Sequence, residues 1–238
     1  MNYGDIHLHA LFGADDGAGS EKEMRQMVDL AYADGERLLC LTPHYHPGYF
    51  GDNRKKSEEA FASLQSYASD TYPDLKLYLG NELRYSPDCI SWLDDGACRS
   101  LGGTNRVLVD FSTRESGKNI VGGLERLLGC GYAPVLAHAE RYEALWHSGS
   151  ILRELRADGV LLQVDTQSIF GGFGFRTKLQ AKAILGGRLA DLVASDAHDL
   201  RRRVPGLDRA YRYIAGKYSE NYAKALCWDV PERLLKKD

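Results

Sequence analysis

The sequence predicts an α/β protein, a barrel of seven parallel strands with helices packed outside. Three observations carry that expectation. Short apolar runs alternate with amphipathic segments along the whole chain. No repeat, low-complexity tract or linker divides it, so residues 1–238 read as a single domain. Metal-ligating side chains stand where the apolar runs end, on the first strand as well as the last. An open doubly wound sheet shares the alternation and also gathers function at the carboxyl ends of its strands. It would hold its first and last strands apart, whereas a barrel lets them meet at one centre.

The strands are expected at 4–9, 37–42, 76–82, 106–111, 133–138, 160–165 and 192–196. The first helix begins at Ser20, whose hydroxyl is followed three residues later by Glu23 in a capping box, and it stops near Gly35. The second carries Ala60, Phe61, Leu64, Tyr67 and Ala68 on one face, a 3.6-residue period. Further helical patterns cover 121–128, 150–157, 178–185, 207–217 and 220–227, before a tail led by Pro231.

Composition excludes several classes. A formal net charge of −3 supplies no global attraction to nucleic acid or an anionic membrane. The basic clusters are local: Arg201-Arg202-Arg203, of which Arg201 and Arg202 read as solvated surface charge, and Lys236-Lys237. Five cysteines, an odd number without a CxxC pair, favour reduced thiols and a cytoplasmic home. The start of the chain lacks a signal-peptide pattern, and no apolar run approaches the ~18 residues of a membrane helix.

The chemistry lies in histidines and carboxylates at six strand ends. They are His7 and His9 in DIHLH, Asp16 in ADDG, His44 in TPHYH, Glu82 in GNE, Asp110 in VLVDF, His138 in AHAER, and Asp196 and His198 in SDAH. Imidazole and carboxylate suit divalent zinc, manganese or iron. Strand side chains alternate with period two, so His7 and His9 share one face, a ready bidentate clamp. Asp196 and His198 repeat the spacing. A lone histidine pair packing at a barrel mouth would be unremarkable, but six strand ends of this kind point to a multi-metal hydrolytic centre. Gly80, just before Asn81 and Glu82, permits close backbone approach. Asp110 interrupts an apolar run, a costly place for a carboxylate unless it is paired or coordinating. Asp15 is expected in the turn or behind the ligands. His46 reads as a residue that touches substrate, and His147 as surface. Arg141 and Arg203 stand beside the ligands, where a guanidinium can grip phosphate bidentately. Tyr45, Tyr49, Phe50, Tyr85, Phe170 and Phe173 read either as walls for an aromatic ring or as loop packing. The GYFG and GGFG stretches read as mobile loops.

Taken together, DIHLH, DDG, TPH, the GNE glutamate, AHAERY and SDAH resemble the PHP (polymerase and histidinol phosphatase) superfamily. Within it they are most similar to the manganese-dependent bacterial protein-tyrosine phosphatases of capsule and exopolysaccharide operons. The resemblance runs from Asp5 to the tail. It implies a distorted (β/α)7 barrel, the PHP fold, holding up to three divalent ions, manganese first and iron or zinc as alternatives. It implies a phosphotyrosine protein substrate, the tail of a bacterial tyrosine kinase of polysaccharide synthesis. By the same resemblance the first ion falls to His7, His9, Glu82 and Asp196, the second to Glu82, Asp110 and His138, and the third to Asp16, His44 and His198. Arg141 and Arg203 match the phosphate-handling arginines. Asp110 replaces a usual glutamate and is one methylene shorter, which predicts a second site that is either weaker or bound through water. Val230-Pro231 replaces a usual Asn-Pro pair, a change expected to touch helix capping only.

The reaction implied is attack by metal-bound hydroxide on a phosphate monoester, among the slowest of uncatalysed hydrolyses. Arg141 would hold the nonbridging oxygens, and the region of Asp16 and His198 would assist the leaving phenolate. No cysteine begins the CxxxxxR loop of thiol phosphatases. A small-molecule phosphatase acting on histidinol phosphate would use similar ligands. A nuclease is disfavoured by the acidic balance, and a non-catalytic kinase partner by the near-complete ligand set.

Overall fold

A computed structural model describes residues 1–146 and 149–236; the expectation for His147 and that for Lys237 lie outside the described residues. Each of the seven expected strands is present, and every strand pairing is parallel. They are β1 (Tyr3–Leu8), β2 (Glu36–Leu41), β4 (Lys76–Leu79) with β5 (Glu82–Arg84), β6 (Arg106–Asp110), β7 (Ala133–Leu136), β8 (Leu161–Asp165) and β9 (Leu192–Ala194). A two-residue strand, β3 (His44–Tyr45), was not foreseen.

The expected third strand divides because the chain steps aside at Gly80-Asn81. A Cβ on Gly80 would stand 3.0 Å from the Leu101 side chain, which is the close approach its glycine allows. Before the step β4 pairs with β2; after it β5 pairs with β3 and β6. One sheet therefore runs β1-β2-β4 and the other β3-β5-β6-β7-β8-β9. The two join into a distorted barrel at two seams. At the step, Gly80 N–H donates to Leu41 O and Glu82 N–H to Pro43 O. Between β9 and β1, Leu8 bridges Ala197, Asp196 N–H donates to His7 O and His9 N–H to Ala197 O, each at 2.9 Å. Asp5 reinforces this second seam: its carboxylate accepts from His7 N–H at 3.1 Å and Ser195 N–H at 3.2 Å.

The helices follow their sequence signals with small extensions. Ser20 caps Glu21–Asp34 by accepting from Glu23 N–H, while the Glu23 carboxylate reaches back to Gly19 N–H. Arg54–Thr71 buries Leu64 and Ala68 from the expected face. Gly117–Gly129 starts earlier than its apolar pattern because Ser116 caps it. The last expected helix breaks: Glu220–Lys224 passes through a wider turn, Ala225–Asp229, into Val230–Leu234, with Pro231 in that first turn. Pro231 packs against Gly4, so the tail closes the amino-terminal end of β1. Four of the five cysteines are buried as small apolar groups, as their composition suggested. No described helix is long and apolar enough to cross a membrane.

Candidate metal centre

All nine expected ligands meet at the carboxyl end of the barrel. Their focus is Glu82, the first residue of β5, whose carboxylate is surrounded by four imidazoles. His7 Nε2 and His9 Nε2 lie 3.4 and 3.3 Å from its Oε2, His44 Nδ1 lies 2.7 Å from the same oxygen, and His138 Nε2 lies 3.0 Å from Oε1. Asp196 Oδ1 closes the far side at 3.3 Å from His7 Nε2 and 3.4 Å from His9 Nε2. The donor atoms of His7, His9 and Glu82 form one compact group, those of Glu82, Asp110 and His138 a second, and those of His9, Asp16, His44 and His198 a third, each within 4.8 Å. His9 thus adjoins two groups, whereas sequence reasoning gave it to the first alone.

Local backbone geometry aims these side chains. His138 and Asp196 follow the ends of β7 and β9 with φ of 34° and 51°, left-handed conformations that non-glycine residues rarely adopt. Such strain is a usual mark of a functional position. The loop carrying Asp15 and Asp16 returns so tightly over β1 that a Cβ on Gly17 would fall 1.8 Å from His9 O. Only glycine allows that approach. It seats Asp15, whose Oδ2 faces His9 Nδ1 at 2.7 Å and accepts from His44 N–H at 2.8 Å. Asp15 therefore orients the His9 imidazole from behind and anchors the His44 backbone, as its turn position suggested.

Several supporting residues escaped the sequence reading. Gln163 Oε1 lies 3.0 Å from His7 Nδ1 and accepts from His138 N–H at 3.0 Å, tying β8 to both ligands. Asp165 pairs with Arg141, and Glu140 Oε1 accepts the Asp165 N–H. A glutamine inside an apolar strand and an acid at a strand end were the available signals. Arg84 Nη2 holds Asp110 Oδ2 at 2.8 Å, and Tyr142 O–H donates to Oδ1. Asp110 Oδ1 still stands 3.7 Å from His138 Nε2, so the shorter side chain remains within its group.

Arg141 Nη2 lies 2.7 Å from Asp196 Oδ2, and Arg203 pairs with the same oxygen. The Nε–H of each arginine is buried without an acceptor among the described residues. Both face a cavity of about 270 Å³ shared with Glu82, Arg84, Asp110 and His138. The aromatics divide. Phe50 stacks on His44 at 5.3 Å and Phe173 lies 3.7 Å under the Arg141 guanidinium. Tyr85 stacks on Phe111, and Phe170 packs on Tyr213. Tyr45 is buried against Trp92, and Tyr49 stands in solvent. His46, read as touching substrate, stacks on Tyr49.

Charge distribution suits cations. Burial opposes ionisation of Glu82, yet His44 and His7 hold its carboxyl well below the usual range. Burial likewise opposes ionisation of Asp196, and His7, Arg141 and Arg203 overcome it. In return, against the cost of burial, Glu82 and Asp196 push His7 up to about 10, and Glu82 pushes His44 up to about 9. Burial and the neighbouring His9 take His198 down to about 2, so it stays a neutral donor. Among the described residues, Glu82 Oε2 and His198 Nε2 are buried without a well-directed hydrogen bond. Convergent lone pairs without enough protons to share fit divalent ions coordinated by nitrogen and oxygen.

A parallel barrel with such a donor set at its carboxyl end defines a metallohydrolase-type protein. The family model for capsular polysaccharide synthesis, CpsB/CapC, matches residues 3–236, and the chain belongs to that family. It is 33% identical to the tyrosine-protein phosphatase CpsB of Streptococcus pneumoniae over 97% of each chain. It is 29% identical to the tyrosine-protein phosphatase YwqE of Bacillus subtilis over 84% of this chain and 78% of that one. In three dimensions it matches a chain from the crystal structures of YwqE from B. subtilis and CpsB from S. pneumoniae, described as unique metal-dependent tyrosine phosphatases. The TM-score is 0.88 at 27% identity, covering 99% and 94% of the two chains. An organophosphorus hydrolase mutant, at a TM-score of 0.56 and 11% identity, shares the fold alone.

Proposed function

We propose that this chain is a metal-dependent phosphatase that hydrolyses phosphotyrosine on a protein, its substrate the tail of a cytoplasmic-side bacterial tyrosine kinase of polysaccharide synthesis. The observation that carries the reading is the crowding of four imidazoles around Glu82, which lines one cavity with two arginines whose Nε–H groups lack acceptors among the described residues. Family membership supports it.

His7, His9, Glu82 and Asp196 would hold one ion, Glu82, Asp110 and His138 a second, and Asp16, His44 and His198 a third, with manganese the expected metal. When bound, such ions neutralise phosphate charge and make hydroxide available near neutral pH. The chain's own residues do the rest. Arg141 and Arg203 are held side by side by Asp196, with Asp165 behind Arg141, at the cavity that would receive the phosphoryl group. Phe173 under Arg141 limits water at the guanidinium. Phenol has a pKa near ~10, so phenolate leaves with little proton assistance. A protonated group held near Asp16, the most exposed of the expected ligand carboxylates, and His198 would supply it; neutral His198 suits a ligand role better than a proton source.

The test is removal of metal with a chelator, followed by assay on p-nitrophenyl phosphate, a phosphotyrosyl peptide and histidinol phosphate. Expected is loss of activity, recovery with manganese, and preference for the peptide. Undiminished activity after complete metal removal refutes the proposal.

A further inference from the structure

Beside the catalytic cavity lies a second one, of about 600 Å³, lined by Gln167, Phe170, Arg202, Val204, Arg209 and Asp34 among others. No described residue lines both, but neighbouring residues of two loops border each. In the loop after the SDAH ligands, Arg203 turns into the catalytic cavity and Arg202 lines its neighbour. In the GGFG loop, Phe173 lies under Arg141 while Gly171 and Gly172 border the second cavity.

This cavity is built around positive charge. Arg209 stacks over Phe170, its Cζ 3.9 Å from the ring centroid, which fixes the guanidinium as a flat platform. Gln167 Nε2 donates to Arg202 O at 2.7 Å and pins the loop. Asp199, the acid nearest in sequence, accepts the backbone N–H groups of Arg201, Arg202 and Arg203, so its charge is spent on the turn. Asp34, which also lines the cavity, accepts the Asp208 N–H at 2.8 Å. Among the described residues neither Arg202 nor Arg209 has a carboxylate partner. A chain of net charge −3 thus concentrates uncompensated arginine at one edge of its active site.

We propose that this cavity is an anion subsite for the segment flanking the scissile phosphotyrosine: Arg202 and Arg209 receive a carboxylate or second phosphate borne by the same peptide. The inference rests on the phosphatase reading and adds a substrate preference to it. Extended chain covers about 3.3–3.6 Å per residue, so three residues reach roughly 10 Å along the loops that border both cavities.

The experiment uses the manganese-loaded full chain. It compares kcat/KM for p-nitrophenyl phosphate, a phosphotyrosyl peptide with alanine flanks, and peptides carrying glutamate or a second phosphotyrosine within three positions. Wild type is expected to favour the anionic peptides about tenfold, through KM. Arg202→Ser with Arg209→Ser, and the same pair changed to Glu, should abolish the preference and leave p-nitrophenyl phosphate unchanged. The glutamate and phosphotyrosine arms distinguish the two sources of charge. Equal rates on neutral and anionic peptides, or a preference that survives both double variants, overturn the inference alone. Absence of metal-dependent p-nitrophenyl phosphate hydrolysis overturns the phosphatase reading and the inference with it. If the double variants lose binding only to phosphatidylserine vesicles, the surface belongs to a membrane and the peptide subsite is wrong.

Discussion

The two ends of the barrel both bury carboxylates, and they treat them in opposite ways. At the carboxyl end, Glu82 and Asp196 are buried among imidazoles and guanidiniums that hold them ionised. At the amino end, Glu36 opens β2 with both carboxylate oxygens buried and, among the described residues, without a side-chain partner. Burial drives its pKa well above the usual range, and the nearby Asp34 and Asp5 add to the rise. Equal burial gives opposite ionisation because partners, not depth, decide which form is favoured. One end stores negative charge for cations; the other is most stable with its acid protonated.

The largest contrast comes from arginine. Arg141→Ala should lower phosphatase kcat by about 10²–10³-fold, since it deletes a preorganised donor to a developing anion. Metal content by elemental analysis should be unchanged; turnover near wild type would remove Arg141 from the chemistry. Next, Gly17→Ala should cost about 1–3 kcal/mol of stability and weaken metal binding, because its Cβ collides with His9 O and dislodges Asp15. Denaturant titration and calorimetry with manganese would read both, and an unperturbed variant would show that the loop adapts freely.

At the opposite end, Glu36→Gln should stabilise the fold at pH 8 by about 1–3 kcal/mol, the scale of a buried polar penalty. The sign follows from linkage: a carboxyl whose folded pKa is raised contributes fully below its unfolded value. That contribution is lost as pH climbs from there through the folded value. The gain from glutamine should therefore shrink toward pH 4, and urea unfolding at the two pH values checks it; a pH-independent difference would contradict the assignment. A further effect is protonic. Because Glu82 and Asp196 draw protons onto His7 and His44, metal binding must release protons and weaken as pH falls from 8 to 6. Calorimetry in buffers of different ionisation enthalpy measures the release, and none detected would mean these imidazoles are already neutral.

Much of this was legible in residue order. Alternating apolar runs located all seven barrel strands, and period-two spacing paired His7 with His9 and Asp196 with His198. Ser20 and Glu23 marked a helix start that the structure reproduces. The division of the third strand at Gly80-Asn81 was not legible, because it depends on Leu101 filling the space beside the glycine. Gln163 and Asp165 were overlooked because neither has a motif. Their importance comes from the register that carries β8 behind His7, His138 and Arg141.

Sequence by itself determined the type and order of the elements and the chemical nature of the centre. Both follow from local periodicity and from the donor atoms that individual side chains possess. Only the tertiary structure decided that Glu82 is the hub, that Arg84 and Tyr142 hold the shorter Asp110 in reach, and that Arg202 turns away from Arg203 into a separate cavity. Those outcomes depend on which distant side chains meet once the barrel closes. Closure at Leu8 and Ala197 is a long-range pairing that no local pattern encodes.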